Sequence, residues 1–275
     1  LRGLFYFYPK ISPAVLFTDQ MGRTVELAAP PKRIVSLVPS QTEMLFDWGL
    51  DEALVGLTKF CVHPAGKKGE KQVVGGTKKL QLEKIAALAP DLVVGNKEEN
   101  ERSDMEWLFE RFPVWMSDIV RVEDAYDMME RLGPVVGREA EAQQMVGEIK
   151  SLFDRAAASR AGQLSTAAYL IWRGPYMAAA SDTFIHEMLR LAGFQNVFGH
   201  LARYPTVTLS QLQAADPDFV LLSSEPYPFK EKHLAEFRAA CPRATVRLVD
   251  GEMFSWYGSR MRLAADYFRS FSADG

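Results

Sequence analysis

The sequence predicts an α/β protein. It consists of two Rossmann-like lobes with mainly parallel sheets, joined by one long α-helix, with a ligand cleft between the lobes. Three observations carry this. One phrase occurs twice, as LEKIAALAPDLVV at Leu82–Val94 and LSQLQAADPDFVL at Leu209–Leu221. Strand-like and helix-like segments alternate in both halves, the pattern of parallel sheets covered on both faces. A long helical stretch with little Gly or Pro punctuation lies between the two copies.

In the doubled phrase Leu82 matches Leu209, Ile85 matches Leu212, Ala87 matches Ala214, and Pro90-Asp91 matches Pro217-Asp218. Each copy has the form of a short amphipathic helix, a Pro-Asp turn and a buried strand. Before the first copy, Arg33–Val38 is an apolar, β-branched run, hence a strand. Pro39-Ser40 breaks it, and Ser40 or Thr42 caps a helix carrying Met44, Leu45 and Trp48, stopped by Gly49. Ala53–Leu57 is the next strand. After Leu82–Leu88 and Leu92–Val94 come a helix over Asn100–Phe112, a strand over Val114–Met116 and a helix over Asp124–Leu132.

Glu139–Ala161 then carries Met145, Val146, Ile149, Leu152, Phe153 and Ala156 at helical spacing. Its place between the copies makes it a connector, dividing the chain into lobes 15–137 and 162–275 with a linker at 138–161. The second half restarts with a strand at Ala167–Trp172 and a turn at Arg173–Ala180. Asp182 caps a helix ended by Gly193. The repeat helix, a strand at Phe219–Leu222, a Pro-rich loop, a helix at Glu231–Ala240, a strand at Thr245–Val249 and a helix at Arg260–Phe271 follow.

The 275 residues are 48% hydrophobic and 24% charged, a globular composition with ample core. A net charge of −3 gives no reason to expect nucleic-acid binding as a whole-protein property. No apolar run approaches the roughly 20 residues that span a bilayer. The aromatic stretch Leu1–Phe17 lacks a long apolar core and a small-x-small site, so it is not read as a signal peptide. Cys61 and Cys241 have no nearby Cys or His partner. Two unpaired thiols are favoured over a disulfide linking the lobes.

Nucleotide loops of the GxxxxGK[ST] and GxGxxG types are absent, as is a GxSxG elbow. His186-Glu187 is followed by Arg190 where a zinc protease needs His. The histidines have no metal-ligand spacing, and only His63 lies in a loop that should face the interlobe region. Ligands of open α/β sheets sit at the carboxyl ends of the strands. The loops expected there are Thr58–Pro64, Gly75–Lys79, Trp172–Tyr176, Ala202–Pro205 and Glu252–Gly258. Aromatic faces with a few charged groups suit a large planar or amphipathic ligand.

TDQMGRTVEL followed by PPKRIVSLVPSQTEMLFDWGL resembles the opening of substrate-binding proteins of ABC importers for cobalamin, ferric siderophores and haem. The resemblance runs from about Phe17 to the last helix and is greatest to the cobalamin-binding branch. It implies two α/β lobes on one rigid helix, no resident cofactor and no catalysis. A metal-chelate small molecule would be the cargo and a permease the partner, with a likeness to monomeric proteins of the periplasm or another extracytoplasmic space. Carried over residue by residue, it makes Phe60 and His63 ligand contacts. Trp172 or its neighbours Arg173 and Tyr176 stack on the corrin. Tyr204 stands where Trp is typical, Glu252 where an Asp reaches the ligand, and Phe254 follows it, with Trp256 in the same loop. Thr77, Lys78 and Lys79 stand where the cobalamin branch has a Trp. Those two lysines suit an anionic ligand such as a haem propionate or an acidic siderophore.

The resemblance also assigns Glu83 to permease docking. Its repeat counterpart is Ser210, so Glu187 or Glu225 serves instead, or docking is asymmetric, or the chain does not dock on a permease of the usual kind. One rigid helix further implies a small closure on binding. The alternative class is a chelatase-like, metal- or cofactor-processing enzyme on the same scaffold, with His63, Cys61 and Glu252 as its titratable cluster. A third reading has His63 or a cleft Tyr ligate haem iron directly.

Overall fold

The computed structural model describes residues 14–158 and 164–272. The expectation for Leu1–Phe17 falls mostly, and that for the connector at 159–161 wholly, outside the described residues. Five parallel strands make the first sheet, in the order Gln72–Val73, Leu54–Leu57, Ile34–Ser36, Leu92–Asn96 and Val114–Ser117. Ile34–Ser36 and Leu92–Asn96 are buried at every residue, as strands covered on both faces must be.

The second sheet has Ser165–Trp172 at its centre. Phe219–Ser223 and then Thr245–Val249 extend it in parallel on one side. Phe194–Asn196 pairs in parallel with the first residues of Ser165–Trp172. Tyr176–Ala178 and Thr206–Val207 add antiparallel edges on the other side. The expected turn at Arg173–Ala180 is therefore a hairpin with its own strand.

The doubled phrase has the same structural job in both sheets. Ile85 and Leu212 are buried under their helices, Leu82–Ala87 and Leu209–Ala215. The Asp91 carboxylate accepts from the N–H groups of Lys32 and Arg33, both at 2.8 Å. The Asp218 carboxylate accepts from the N–H of Thr166 at 2.7 Å and from its hydroxyl at 2.8 Å. Each Pro-Asp turn thus ties the entry of its strand to the entry of the parallel neighbour.

The helix Glu139–Ala158 has 20 residues and spans about 30 Å. It buries Met145, Val146, Ile149 and Phe153 against the helices Val122–Val135 and Met261–Ser272. Gly133 permits the tight crossing: a Cβ there would lie 2.6 Å from that of Ala142. One apolar cluster runs from the first sheet past this helix into the second. The lobes therefore share a core.

Several local expectations change. Pro39–Asp47 begins after Val38 with Pro39 in the first turn, and no side chain caps it. Thr42 instead donates to the Val38 carbonyl, 2.8 Å away. Thr183, not Asp182, caps the helix Phe184–Leu191 by accepting from the His186 N–H. Glu231–Ala240 divides into a 3₁₀ turn and the helix Leu234–Ala240. Near the start of the chain, Val15–Thr18 and Thr24–Leu27 form a hairpin. The buried Asp19 carboxylate holds its turn by accepting from Met21, Arg23 and Met116 N–H groups. Cys61 and Cys241 are both free and buried.

Candidate ligand cleft between the lobes

Between the lobes lies a cavity of about 600 Å³. Its first wall is Pro39, Phe60, Val62, Thr77 and Glu99; Ile171, Ile185, Tyr204, Glu225, Glu252 and Trp256 form the second. Pro39, Phe60 and Glu99 follow the carboxyl ends of strands Ile34–Ser36, Leu54–Leu57 and Leu92–Asn96. Glu225 and Glu252 follow those of Phe219–Ser223 and Thr245–Val249. Both parallel sheets thus aim their loop-bearing ends at one space. A smaller recess of about 220 Å³ continues past Glu99, Ile185 and Tyr204 to Ile119 and Tyr257.

The ionisable carboxyls and bases of this lining are one-sided. Glu99, Glu225 and Glu252 line it, and no Lys or Arg does. Burial pushes the Glu99 carboxyl up to about 7, and the negative charges of Glu225 and Glu98 push the same way. Glu225 is raised as well, chiefly by burial, although one of its oxygens accepts from the Ser255 hydroxyl at 2.6 Å and the Trp256 indole at 3.0 Å.

At the base, four charged or titratable groups, two from each lobe, form one connected network. Arg260 is only 7% exposed and clamps both oxygens of Glu43, at 2.9 and 2.6 Å. It also lies 3.2 Å from Glu252, whose same oxygen is 2.9 Å from His63 Nε2. Glu43 and His63 belong to the first lobe; Arg260 and Glu252 belong to the second. The Arg260 guanidinium sits 5.3 Å from the Trp256 ring, and His63 meets that ring edge-on. Nearby, Gly258 at φ +85° passes so close to Met44 that a Cβ would lie 3.1 Å from its sulfur. At the mouth, Arg203 of the second lobe donates to Glu98 of the first at 2.7 Å.

The structure brings Phe60, Thr77, Tyr204, Glu252 and Trp256 together in the cavity wall, with Lys78 on the recess and His63 behind Glu252. It puts four others elsewhere. Phe254 is fully buried against Tyr169 and Phe268. It lies on the short helix Glu252–Ser255, so its neighbours Glu252 and Ser255 face the cavity while it faces the core. Trp172 is 40% exposed and packs edge-on against Tyr227, outside the cavity lining. Its neighbour Ile171 takes the inward position, because successive strand residues point to opposite faces. Arg173 and Tyr176 both bond Glu236 on the helix Leu234–Ala240. Lys78 is tied to the Glu98 carbonyl at 2.5 Å. Glu83 and Ser210 are exposed on their respective helices. Glu225 is held inside the cleft, which removes it as a docking carboxylate. Glu187 pairs with Arg190 at 3.1 Å.

Sequence reasoning missed Glu99, Glu43 and Arg260. Glu99 sits in the run NKEENER, which has the composition of a solvated loop. Cys61 does not join a reactive cluster. It is 1% exposed, beside the hydroxyls of Thr42 and Thr58, and burial raises its thiol.

A family profile described as "Periplasmic binding protein" matches residues 34–240, more than half of the chain. The chain belongs to the periplasmic binding protein family. Its members are substrate-binding components of transporters, not enzymes, and carry their ligands as cargo rather than cofactors. A vitamin B12-binding protein of Vibrio vulnificus is 28% identical over 206 residues, covering 71% of this chain and 72% of that protein. An uncharacterized ABC transporter substrate-binding lipoprotein of Bacillus subtilis is 25% identical over 218 residues, covering 75% and 68%. Two solved structures share the fold at low identity. The periplasmic vitamin B12 binding protein of Vibrio cholerae has a TM-score of 0.75 at 20% identity and covers 90% of this chain and 99% of its own. A periplasmic heme binding protein from Pseudomonas aeruginosa has a TM-score of 0.78 at 20% identity, covering 89% and 94%. Among the described residues, no helix of this periplasmic binding protein is long and apolar enough to cross a membrane.

Proposed function

We propose that this protein is the substrate-binding component of an ABC importer and that its cargo is a corrinoid of the cobalamin class, held between the lobes. The observation that carries the choice of cargo is the acidic lining: Glu99, Glu225 and Glu252 line the cavity and no Lys or Arg does, Arg260 meeting Glu252 from behind the wall. A corrin ring edged by neutral amides offers N–H donors to such carboxylates and an apolar face to Phe60, Ile185 and Trp256. Haem propionates and acidic siderophores would place like charges together at short range, where repulsion is strong. Direct haem ligation by His63 is disfavoured for a second reason, since its Nε2 is engaged by Glu252.

The named relatives support delivery to a permease from a periplasmic or other extracytoplasmic space. Glu83, exposed on its helix, is the first-lobe docking carboxylate in this reading, with Glu187 as the remaining candidate on the second lobe. The shared core and the basal charge network favour a small closure on loading. Parallel spectroscopic titration with a cobalamin, haem and a ferric siderophore tests the cargo. The cobalamin should bind tightest, and Glu99→Lys should weaken it while improving haem. Tighter binding of haem, or of none of the three, would end this reading.

A further inference from the structure

The first lobe carries a second cavity, of about 580 Å³, beside the cleft. Its lining includes Lys59, Lys78 and Lys79 and no Asp or Glu. Phe60 and Thr77 belong to both cavities, so the two spaces share a wall. Gly75 and Gly76 form part of the lining. At Gly76 a Cβ would sit 3.2 Å from the Phe60 ring and 3.3 Å from Lys59 Cε, so the missing side chain lets the lysine stem and the ring lie on the main chain. The Lys59 ammonium is then held 4.9 Å from the Phe60 ring centre. Lys68 buttresses this turn by donating to the Lys59 carbonyl at 3.2 Å. Neither Lys59 nor Lys79 has a carboxylate partner among the described residues. Asp104 approaches from outside the lining, where it accepts from the Leu80 N–H.

Crossing Phe60 therefore changes the charged lining residues from three glutamates to three lysines. We infer that the lysine-lined cavity is an anion subsite for a phosphate-type group on an arm of the ligand whose neutral body occupies the cleft. The inference rests on the corrinoid reading above. Lys59 and Lys79 supply the charge, and Lys78 contributes from its tether on the Glu98 carbonyl. Two lysine contacts to one phosphate, exposed to water, should separate arm-bearing from arm-free ligands by about tenfold at low salt, and by less as salt screens them.

The test compares a corrinoid carrying a phosphodiester-linked nucleotide arm with the same corrinoid lacking it, on the wild type and on a Lys59→Gln/Lys79→Gln variant. Both lysines are exposed, so the variant should fold. The wild type should prefer the armed ligand about tenfold. The variant should lose most of that preference while holding the arm-free ligand within twofold of wild type. An unchanged preference in the variant, or none in the wild type, overturns the subsite. Inorganic phosphate, followed by amide NMR, tests it without any corrinoid. Shifts should concentrate at residues 75 to 80 and vanish in the variant. No shifts, or equal shifts around the exposed Lys230 and Lys232, overturn the subsite. Failure of both corrinoids to bind overturns the cargo assignment instead.

Discussion

Arg260→Met is the most informative single substitution in this protein. It keeps the length of the side-chain stem and removes the guanidinium that both oxygens of Glu43 grip. Glu43, 13% exposed at its side chain, would be left without its partner. Removing one member of a buried ion pair typically costs about 3–5 kcal/mol. Two features favour the lower end. Glu43 is not fully buried, and burial already raises its carboxyl, so protonation can relieve part of the loss. The expected cost is about 3 kcal/mol at neutral pH, or roughly 6–12 °C in Tm for a chain of this size. Urea denaturation followed by circular dichroism measures it. Because the stranded Glu43 can take up a proton, the cost should shrink at pH 5. A double variant, Glu43→Leu/Arg260→Met, removes both charges and should recover most of the stability, since apolar replacement of a buried pair is often neutral. A single variant within about 1 kcal/mol of wild type, or a double variant no better than the single, would refute the reasoning.

Three further outcomes are expected. Glu99 has a folded-state pKa raised to about 7, above its ordinary value, so the folded protein holds a proton there that the unfolded chain has lost. Its contribution to stability is therefore present at low pH and fades as pH rises from about 4.5 to 7. Urea melts at pH 5 and 7.5 should show Glu99→Gln gaining on wild type at the higher pH. Phe254→Ala should cost about 3–5 kcal/mol in the same assay because the ring is fully buried, and an effect confined to ligand affinity would contradict that placement. Gly258→Val puts a branched side chain at φ +85° against Met44, and should destabilise by more than about 1 kcal/mol while loosening the interlobe contact, read as faster proteolysis between the lobes.

The fold was legible because its signals are local. Apolar runs marked the central strands, and the doubled Pro-Asp phrase marked the same strand-entry tie twice. The edge strand Tyr176–Ala178 was hidden by its neighbours: Gly174 and Pro175 make a turn, and three residues after it give no period to read. Site loops could be found from the carboxyl-end rule, and Phe60, Thr77, Tyr204, Glu252 and Trp256 of those loops line the cavity. Which residue of a loop faces inward depends on packing beneath it, so Phe254 and Trp172 lie off the cavity while their near neighbours Glu252, Ser255 and Ile171 line it. The charges were least legible. Glu99 is perturbed by Glu225, and Glu43 is clamped by Arg260, and in both pairs the partner lies on the other lobe, far away along the chain. Nothing in either neighbourhood announces it.

The close approach of Gly258 to Met44 has a mechanical consequence. With Arg260 fastened to Glu43 nearby, it makes a fulcrum at the closed end of the cleft. A lobe rotating about such a point moves least where it is pinned and most at the far rim. The mouth carries the Arg203–Glu98 bridge, a contact at the surface and correspondingly easy to break. Force at the mouth would therefore part the Arg203–Glu98 bridge before it moved the buried Arg260–Glu43 pair.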